Sequence, residues 1–380
     1  MRILHVIESM QIGGAERHLA NLLAPLQALG IENDVALLWS GQAFDDSVRP
    51  YARVHDFGLP PRRVLPAMPR LVALARQADV VHTQLPWADI AGRLAAMAAR
   101  RTSVTTLQST WYDRSNTETF DARIRRRIAL VKRLDGWTAR TTRRFFAVSE
   151  ATRLTYMREL ALPDERIEVI PNSVDLGRFD PAAAGDRAAA RRALGLGEDE
   201  FAILMLARLV PPKGHAEAIQ AVSQIRDRPL RLLIAGTGPD EQSLRALVTR
   251  LDAPVTLLGA RKDAPKLLRA ADLFLFPSQY EGLPLALIEA MAMEVPCLCS
   301  DIPENRETGG THVAYVPAGD ANAIAQAIRA LMADAPRRQA LAAGGRASVE
   351  RFSAAKIAER LLRSIEEVLR GSRNGHVVAS

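Results

Sequence analysis

Short apolar runs alternate with amphipathic segments along nearly the whole chain. The runs have the length of strands, and the segments between them carry apolar residues at helical spacing. Because a continuous apolar run is typical of a strand buried on both faces, this alternation predicts parallel sheets covered by helices. The predicted strands form a first series within residues 2–8, 33–40, 78–84, 102–110, the start of 145–153, and 167–179, and a second series within residues 201–207, 230–236, 255–259, 271–277, 295–300 and 312–316.

Residues 180–200 lie between the two series and are rich in alanine, glycine and charge, which is typical of a passage between domains. We therefore expect two Rossmann-like, doubly wound parallel-sheet α/β domains, over residues 1–176 and 177–352. The amphipathic pattern of residues 353–370 predicts a final helix, which we expect to pack back on the first domain. The last residues, 371–380, are expected to form a flexible tail.

Composition restricts the partners of the chain. It has 380 residues, a formal net charge of +7 and a pI near 9.8, which favour anionic partners such as nucleotides and phospholipid surfaces. Aromatic residues make up only 5% of the chain. Since zinc-ligand spacing and RNA-binding aromatic motifs are also missing from the sequence, nucleic acid is not an expected partner.

The cysteines and the apolar runs bear on location. Cys297 and Cys299 alternate within one apolar run, and we expect buried, reduced thiols, which suit the cytoplasm. Residues 1–9 turn polar too soon for a signal peptide, and no run approaches the roughly 18 apolar residues of a membrane span. Any membrane contact should therefore be peripheral.

Residues 121–144 are strongly basic, and Ile124, Ile128, Val131 and Leu134 give them one apolar stripe at helical spacing. Two interpretations remain open. The segment is either a solvated amphipathic helix that lies on the sheet, or a helix that docks onto an anionic membrane or a lipid-phosphate acceptor.

A glycine pair follows the first predicted strand. Gly13 and Gly14 would let the backbone approach a ligand closely, and Glu16 falls in the first turn of the next helix. The pattern lacks the spacing of a dinucleotide fingerprint and the lysine of a P-loop, so neither a dinucleotide nor an ATP site is indicated. A tight turn without a ligand is the alternative.

Polar residues also end two later strands of the first series, at His82 with Gln84 and at Gln108. Open α/β sheets bind ligands at the carboxyl ends of their strands, so these side chains are candidates for ligand contacts. For His82 the alternative is a neutral buried histidine whose hydrogen bonds are satisfied within the fold.

Four strand ends of the second series carry polar or glycine-rich loops. After the first strand, Arg208 and Lys213 lie five positions apart across a proline-stiffened loop at a helix start, which suits a clamp for a diphosphate. After the second strand, Gly236 and Gly238 allow close approach of the backbone. The third loop contains Arg261. We expect all four loops to lie on one edge of one sheet.

The fourth loop holds two glutamates, Glu281 and Glu289, eight positions apart. Pro284 fits the first turn of a helix, so Glu281 should lie just before that helix and Glu289 about two turns inside it. Free N–H groups at a helix start suit an anion, and carboxylates suit hydroxyls; together they suit a sugar nucleotide. A capped helix with one solvated and one partly buried glutamate is the alternative.

In this order, the motifs resemble a known family. The chain is similar to the retaining glycosyltransferases of family four, whose GT-B fold places two Rossmann-like domains face to face across a cleft. The resemblance covers nearly the whole chain and rests on the segments GGAERHLANL, DVVHTQ, FFAVSEATR, VIPNSVDLGRFDP, ARLVPPKG, LLIAGTGP, LGARKD and YEGLPLALIEAMA, the last with its E-x7-E element, and on VPCLCSDIPENRE.

The resemblance implies roles for individual residues. Arg208 and Lys213 would bind the diphosphate of the donor and stabilise the leaving group, and Glu281 would contact hydroxyls of the donor sugar. Glu289 would hold the ribose hydroxyls, and the backbone around Arg261 would meet the base. The other positions implied to contact the donor are Gly14, Gly236, Gly282, Leu283 and Leu285, and those implied near the sugar or the acceptor are Gly13, His82 and Gln108.

The chain departs from the family pattern at two positions. Many members have histidine where this sequence has Gln84 and Gln108. A glutamine can hydrogen-bond to a sugar hydroxyl, but it cannot shuttle a proton near neutral pH. A mechanism that needs a histidine base at these positions is therefore not expected.

The implied reaction moves a sugar from a UDP- or GDP-sugar to an acceptor hydroxyl with retention, by front-face displacement, without a metal or another cofactor. The implied acceptor is a glycan or a lipid-linked molecule in polysaccharide, lipopolysaccharide or glycolipid synthesis on the cytoplasmic side of a membrane. Two alternatives remain: a phosphorylase-like or epimerase-like enzyme of the same fold, and a non-catalytic protein that binds sugar nucleotides.

Overall fold

The structure, a computed structural model, describes residues 1–10, 13–39, 48–61, 63–110, 112–113 and 122–374. The chain divides into two compact units, Met1–Ser173 with Phe352–Ser380, and Val174–Arg351. Among the described residues, no helix is both long enough and apolar enough to cross a bilayer.

The first unit is built on a seven-stranded sheet in which every pair of neighbouring strands is parallel. Its strands are β1 (Arg2–Ile7), β2 (Glu32–Leu37), β3 (Arg53–Asp56), β4 (Val80–Gln84), β5 (Thr102–Leu107), β6 (Arg144–Ala147) and β7 (Ile167–Val169), in the order β3-β2-β1-β4-β5-β6-β7. The helices between them are α1 (Gly14–Ala28), α2 (Met68–Gln77), α3 (Pro86–Ala98), α4 (Ala122–Ala139) and α5 (Glu150–Leu160).

Strand β3 is not predicted by the sequence pattern. It is short, lies at the edge of the sheet and is only half buried, so it lacks an apolar run. Its polar side chains bind the neighbouring strand instead: His55 Nε2 lies 2.8 Å from Asp34 Oδ1, and an Arg53 nitrogen lies 2.9 Å from Glu32 Oε2. Edge strands of this kind carry little periodic signal.

The second unit contains a six-stranded parallel sheet, and all six strands predicted for it are confirmed. They are β8 (Phe201–Leu206), β9 (Leu230–Ala235), β10 (Val255–Gly259), β11 (Leu273–Phe276), β12 (Cys297–Ser300) and β13 (Ala314–Val316), in the order β10-β9-β8-β11-β12-β13. The helices are α6 (Arg187–Ala193), α7 (His215–Ser223), α8 (Glu241–Leu251), α9 (Ala264–Ala270), α10 (Leu285–Ala292), α11 (Pro303–Gly309), α12 (Ala321–Ala333) and α13 (Ala335–Ser348).

The final helix, α14 (Ala354–Asn374), packs against α1 within the first unit. Ile357, Leu361 and Ile365 are buried in one cluster with Leu22 and Leu26 of α1. The helix continues beyond the predicted end at residue 370, so the expected flexible tail is wrong for residues 371–374, because the helical hydrogen bonding continues there. The rest of the tail lies outside the described residues.

A buried polar network fixes α3 against α4. The guanidinium of Arg93 is fully buried and pairs with the carboxylate of Asp135 on α4, whose other oxygen accepts a hydrogen bond from the Tyr112 hydroxyl at 2.9 Å. Asp89, one turn before Arg93 on α3, is buried as well and lies 3.9 Å from the guanidinium. Two carboxyl groups thus share one cation in a site without solvent, and this favours the neutral form of one carboxyl group.

We expect the stability of the fold to depend on the ionisation of Asp89. The pKa of Asp89 is raised to about 8, mainly by burial; the neighbouring Asp135 and Glu8 also raise it, and Arg93 opposes them. In the unfolded chain the pKa is about 4. The folded state therefore holds this proton more tightly, and the contribution of Asp89 to stability is lost as the pH rises from about 4 to about 8.

Replacing this residue, Asp89→Asn, should remove that loss. Relative to the parent, the free energy of unfolding of the variant should rise by up to about 1.4 kcal/mol per pH unit between about pH 5 and about pH 8. Urea unfolding of both proteins at several pH values in this range measures the difference. A difference that does not change with pH would contradict the assignment.

Candidate functional site

The topology of the second unit marks one place on its sheet. From β8 the chain proceeds to β9 and β10 on one side, and it then returns to β11 on the other side of β8. In open α/β sheets a ligand crevice forms outside the carboxyl ends of the two strands at such a switch point. The loops that follow β8 and β11 are those with Arg208, Lys213 and Glu281.

The backbone holds these two loops together. The N–H of Gln279 donates to the carbonyl of Pro212 at 2.8 Å. Gly214 has φ +70°, and a Cβ at this position would lie 2.4 Å from the carbonyl oxygen of Pro277. A side chain at position 214 would therefore separate the loops, and glycine is required both for the backbone conformation and for the contact.

This contact brings a cation and a carboxylate together. Lys213 Nζ lies 2.6 Å from Glu281 Oε1, and both side chains are largely buried. Tyr280 is half-buried beside them: burial raises the pKa of its hydroxyl, Glu281 raises it further, and Arg208 acts in the opposite direction. Arg208 is exposed on the same loop as Lys213. Two cations and a carboxylate thus lie on the loops of the switch point.

The second glutamate lies inside the helix that follows this loop. Glu289 is fully buried in α10, four residues after its first residue, Leu285. The helix begins at Leu285, and Pro284 precedes its first turn where the prediction placed this proline inside it, because Pro284 has ψ 83°. In this turn the N–H of Leu285 donates to the carbonyl of Leu283 at 3.0 Å. The amide of Leu285, which the family resemblance implied as a contact to the donor, is thus hydrogen-bonded within the loop.

The glycines of the next loop contact protein backbone. A Cβ on Gly236 would lie 1.9 Å from the carbonyl oxygen of Ala207, and one on Gly238 would lie 2.2 Å from that of Leu209. The N–H of Gly236 also donates to the carbonyl of Gly259 at 2.8 Å. These glycines therefore support the loop that carries Arg208, and the expected common edge for the four loops is confirmed.

Arg261 follows β10 on the same edge. Its guanidinium makes two hydrogen bonds to the carboxylate of Asp263, at 2.8 and 2.6 Å. These bonds lower the pKa of Asp263. The side chain of Arg261 is thus bound to Asp263.

The first unit has a switch point of its own, between β1 and β4. Gly13 caps the N-terminus of α1, which begins at Gly14, and Glu16 lies in its first turn as predicted. The N–H of Arg17 donates to the carbonyl of Gly13 at 3.1 Å. Residues 11 and 12, in the same loop, lie outside the described residues.

His82 lies inside the sheet. Its side chain is fully buried, with Nδ1 3.0 Å from Nδ1 of His5 and Nε2 2.7 Å from the hydroxyl of Thr106. His5 in turn lies 3.2 Å from Asn33 Oδ1. Burial lowers the pKa of His82 well below its usual value. This environment matches the alternative stated for His82, a neutral buried histidine whose two ring nitrogens are both hydrogen-bonded within the fold.

The two glutamines behave differently. Gln108 Nε2 donates to Gln84 Oε1 at 2.8 Å, across the carboxyl ends of the adjacent strands β4 and β5. Within the described parts of the chain, the remaining amide atoms, Gln84 Nε2 and Gln108 Oε1, are buried without a hydrogen-bond partner. Buried polar atoms are rarely left without partners, so this pair offers one donor and one acceptor to a ligand.

One set of contacts has no counterpart in the sequence-based expectations. His18 and Asn21, one turn apart on α1, both bind Ser173, the last residue before the second unit. The N–H of Ser173 donates to His18 Nδ1 at 3.0 Å, and Asn21 Nδ2 donates to the Ser173 carbonyl at 2.7 Å. The only signal in the sequence is a histidine and an asparagine on a helix face that is otherwise apolar.

Two family models match the chain. The model described as Glycosyltransferase Family 4 matches residues 12–178, and the one described as Glycosyl transferases group 1 matches residues 200–334. Together the matches cover most of both units. The chain belongs to glycosyltransferase family four.

Two curated relatives of this family-four chain differ in their donors. A UDP-Gal:alpha-D-GlcNAc-diphosphoundecaprenol alpha-1,3-galactosyltransferase of Escherichia coli is 33% identical over 236 residues, which are 60% of this chain and 59% of the relative. A GDP-mannose-dependent monoacylated alpha-(1-6)-phosphatidylinositol monomannoside mannosyltransferase of Corynebacterium glutamicum is 36% identical over 195 residues, 48% of this chain and 51% of the relative. The chain thus spans a little more than half the length of these relatives.

The fold is shared with a solved structure. HepE of Anabaena in complex with UDP-glucose superposes with a TM-score of 0.83 and 23% identity, over 97% of this chain and 100% of that chain. The predicted GT-B class, with two parallel-sheet α/β domains, is confirmed.

We expect a side chain at position 214 to lower the free energy of unfolding by more than the left-handed backbone conformation alone would cause. Gly195 is a matched control, because it has φ +65° and a Cβ there would meet nothing within 4 Å. Gly195→Ala should lose about 1 kcal/mol from the left-handed conformation. Gly214→Ala should lose the same amount and about 2 kcal/mol more, because the new methyl group must push Pro277 away.

Chemical unfolding of both variants and the parent measures these differences. Equal losses for the two alanine variants would show that the loops after β8 and β11 are not in contact at Gly214.

Proposed function

We propose that this protein is a retaining glycosyltransferase that moves a sugar from a UDP- or GDP-sugar to an acceptor hydroxyl. The observation that carries the proposal is the ion pair at the switch point of the second unit. Lys213 and Glu281 lie 2.6 Å apart on two loops, and Arg208 lies on the first of them. Cations for phosphate and a carboxylate for hydroxyls are the two halves of a sugar nucleotide site.

In the proposed donor site, Arg208 and Lys213 bind the diphosphate. The guanidinium supplies two parallel donors, and the ammonium supplies a point charge that Glu281 holds in place. These two cations take the role that a divalent metal plays in other transferases, and the proposed reaction is independent of metal and of other cofactors. Fixed positive charge beside the departing phosphate is usually the largest single contribution to such a reaction.

The two glutamates recognise hydroxyl groups in this proposal. Glu281, beside Lys213, accepts hydrogen bonds from the donor sugar, and the buried Glu289 accepts them from the ribose. The amides of Gly282 and Leu283 lie between the sugar and the phosphate, and the backbone at Arg261 meets the base. Gly236 contributes indirectly, because it lets the loop with Arg208 take its position.

The first unit is proposed to serve the acceptor. Gly13 and Gly14 would border the phosphate and the acceptor at the start of α1. Gln108 and its partner Gln84 would bind a sugar hydroxyl through the amide atoms that lack partners among the described residues. His82 is fully buried, so any effect it has on a sugar would be indirect.

The proposed chemistry is a front-face displacement. The acceptor oxygen forms a bond to the anomeric carbon while the bond between that carbon and the β-phosphate oxygen breaks on the same face. The acceptor proton passes to the leaving phosphate oxygen, so the products are the glycoside and the nucleoside diphosphate. Since the entering and the leaving oxygen share one face, the configuration is retained.

The proposal includes a uridine and a guanosine donor. The Escherichia coli relative is named for UDP-galactose and the Corynebacterium relative for GDP-mannose, so the comparisons support both bases. Both names include a lipid-linked or lipid acceptor, which favours a glycan or lipid-linked acceptor at the cytoplasmic face of a membrane. Residues 121–144, with their arginines, are the proposed place of peripheral contact with that membrane.

The first prediction of this proposal concerns catalysis. Arg208→Ala combined with Lys213→Ala should lower the rate of transfer on the order of a thousandfold or more, because the leaving phosphate loses its fixed cations. A panel of UDP- and GDP-sugars identifies the donor that the parent accepts, and the rates are measured with that donor.

Arg228→Ala combined with Arg250→Ala is the matched control, because these exposed arginines of the same unit lie outside the switch-point loops. Transfer by the first variant at the parental rate would overturn the proposal, and nucleotide binding without transfer by the parent would favour a non-catalytic binding protein.

The second prediction concerns Glu289. Glu289→Gln should weaken binding of the matching nucleoside diphosphate roughly tenfold, because a charged acceptor for the ribose hydroxyls is lost. Binding of the diphosphate and of its 2′,3′-dideoxy analogue is measured by calorimetry. The parent should prefer the ribose form, and the variant should bind both forms almost equally.

Glu294→Gln is the control for this experiment, since Glu294 is exposed just beyond the same helix. If the Glu289 variant still discriminates between the two nucleotides as the parent does, Glu289 does not hold the ribose.

A further inference from the structure

Helix α4 has a face that is firmly committed to the protein interior. Ile128 and Val131 are buried, and Asp135 is bound to Arg93 of α3 and to Tyr112. A buried ion pair that would be costly to break fixes the rotation of the helix about its axis. Of the four residues in the single apolar stripe expected from the sequence, Ile128 and Val131 lie on this inner face. The expectation is wrong for Ile124 and Leu134, which are 40% and 37% exposed.

The opposite face carries large apolar side chains as well. Leu130 is 59% exposed, Leu134 37% and Trp137 56%. They recur at intervals of four and three residues, so they form one stripe along the helix. Trp137 follows Asp135 by two positions, which places it about 200° around the helix and away from the interior. We call Leu130, Leu134 and Trp137 the outer stripe.

The exposed charged side chains of α4 beside the outer stripe are arginines. Arg126 and Arg133 lie beside the stripe and are exposed, and Arg125, Arg127 and Arg140 are exposed nearby. The one acidic residue of α4 is Asp135, which is buried against Arg93. The surface is therefore apolar at its centre and cationic at its border.

These properties favour one occupant. Exposed leucine and tryptophan among arginines match the boundary between lipid headgroups and acyl chains, where the amphipathic indole ring and the guanidinium groups both find partners. A second copy of this chain is disfavoured, because a two-fold contact would place two arginine-rich borders against each other. An anionic lipid bilayer supplies apolar depth and negative charge together.

We propose that α4 docks this protein onto an anionic lipid bilayer, with the outer stripe at the headgroup boundary and with Arg126 and Arg133 on lipid phosphates. The inference deepens the proposed function by identifying the surface that meets the membrane. The proposed contact extends from Arg126 to Trp137 and includes the apolar side chains of the outer stripe as well as the arginines. Binding to lipid needs no donor and no transfer, so it is measured separately from catalysis.

The test is flotation of the full chain with vesicles of phosphatidylglycerol and phosphatidylcholine, or of phosphatidylcholine alone. The parent should bind the anionic vesicles, bind the neutral ones weakly, and be partly released by salt. Arg126→Ser with Arg133→Ser should lower the affinity roughly thirtyfold. Leu130→Ser with Trp137→Ser should lower the affinity for anionic vesicles about tenfold or more. This variant should change the salt dependence of binding less than the arginine variant does.

Two matched variants control for loss of charge and of exposed apolar area. Arg228→Ser with Arg250→Ser removes two exposed arginines of the second unit, and Leu65→Ser with Met97→Ser removes two exposed apolar side chains of the first. Both should bind vesicles as the parent does. Nucleotide binding should be unchanged in all four variants, which separates failure of docking from failure of the proposed function.

Three results would overturn the proposal. The first is a parent that does not bind anionic vesicles at low salt. The second is that both α4 variants bind anionic vesicles as tightly as the parent and the control variants do. The third is a concentration-dependent dimer in size-exclusion chromatography that the Leu130→Ser, Trp137→Ser variant abolishes, because a second copy would then cover the outer stripe.

Discussion

The ion pair between Lys213 and Glu281 rests on a backbone contact. Both side chains are long, and holding two such chains in one geometry costs conformational entropy. The hydrogen bond from Gln279 to Pro212 and the close packing of Gly214 on Pro277 offset this entropy, because they fix the two loops independently of the side chains. In the same way, Gly236 and Gly238 let the neighbouring loop pack against the backbone that leads to Arg208. The site is thus shaped first by backbone packing between loops and only then by side chains.

The sequence predicted the second sheet well, because its central strands are covered on both faces and read as unbroken apolar runs. It also predicted that Arg208, Lys213 and Glu281 share one edge, since the carboxyl ends of parallel strands always do. It did not predict β3, whose polar side chains bind Asp34 and Glu32 across an exposed edge. Nor did it predict the partners of the candidate residues, because Lys213 and Glu281 are far apart in the chain and meet only through the fold.

Glycine and amide groups show the same limit more sharply. The sequence marks Gly236 as a position of close approach, but it cannot say that the approaching group is the carbonyl of Ala207. It marks the start of α10 as a source of free N–H groups, but the turn at Pro284 engages the amide of Leu285 locally. It marks His82 and Gln84 alike as polar residues at a strand end. The two residues are only two positions apart, but His82 lies inside the sheet and Gln84 lies at its edge. Local patterns identify the type of contact, and tertiary neighbours decide its partner.

The buried row that runs from Asn33 through His5 and His82 to Thr106 has an electrical consequence. Asn33 Nδ2 donates to the carbonyls of Leu23 and Tyr51, so its oxygen must accept, and His5 must carry its proton on Nε2. His5 Nδ1 can then only accept from His82, whose own Nε2 must accept the hydroxyl proton of Thr106. Every hydrogen in the row has one assigned position, and a further proton would break one of these hydrogen bonds in a fully buried site. The row therefore acts as a chain of oriented dipoles whose hydrogens are fixed, beneath the strand ends that carry Gln84 and Gln108.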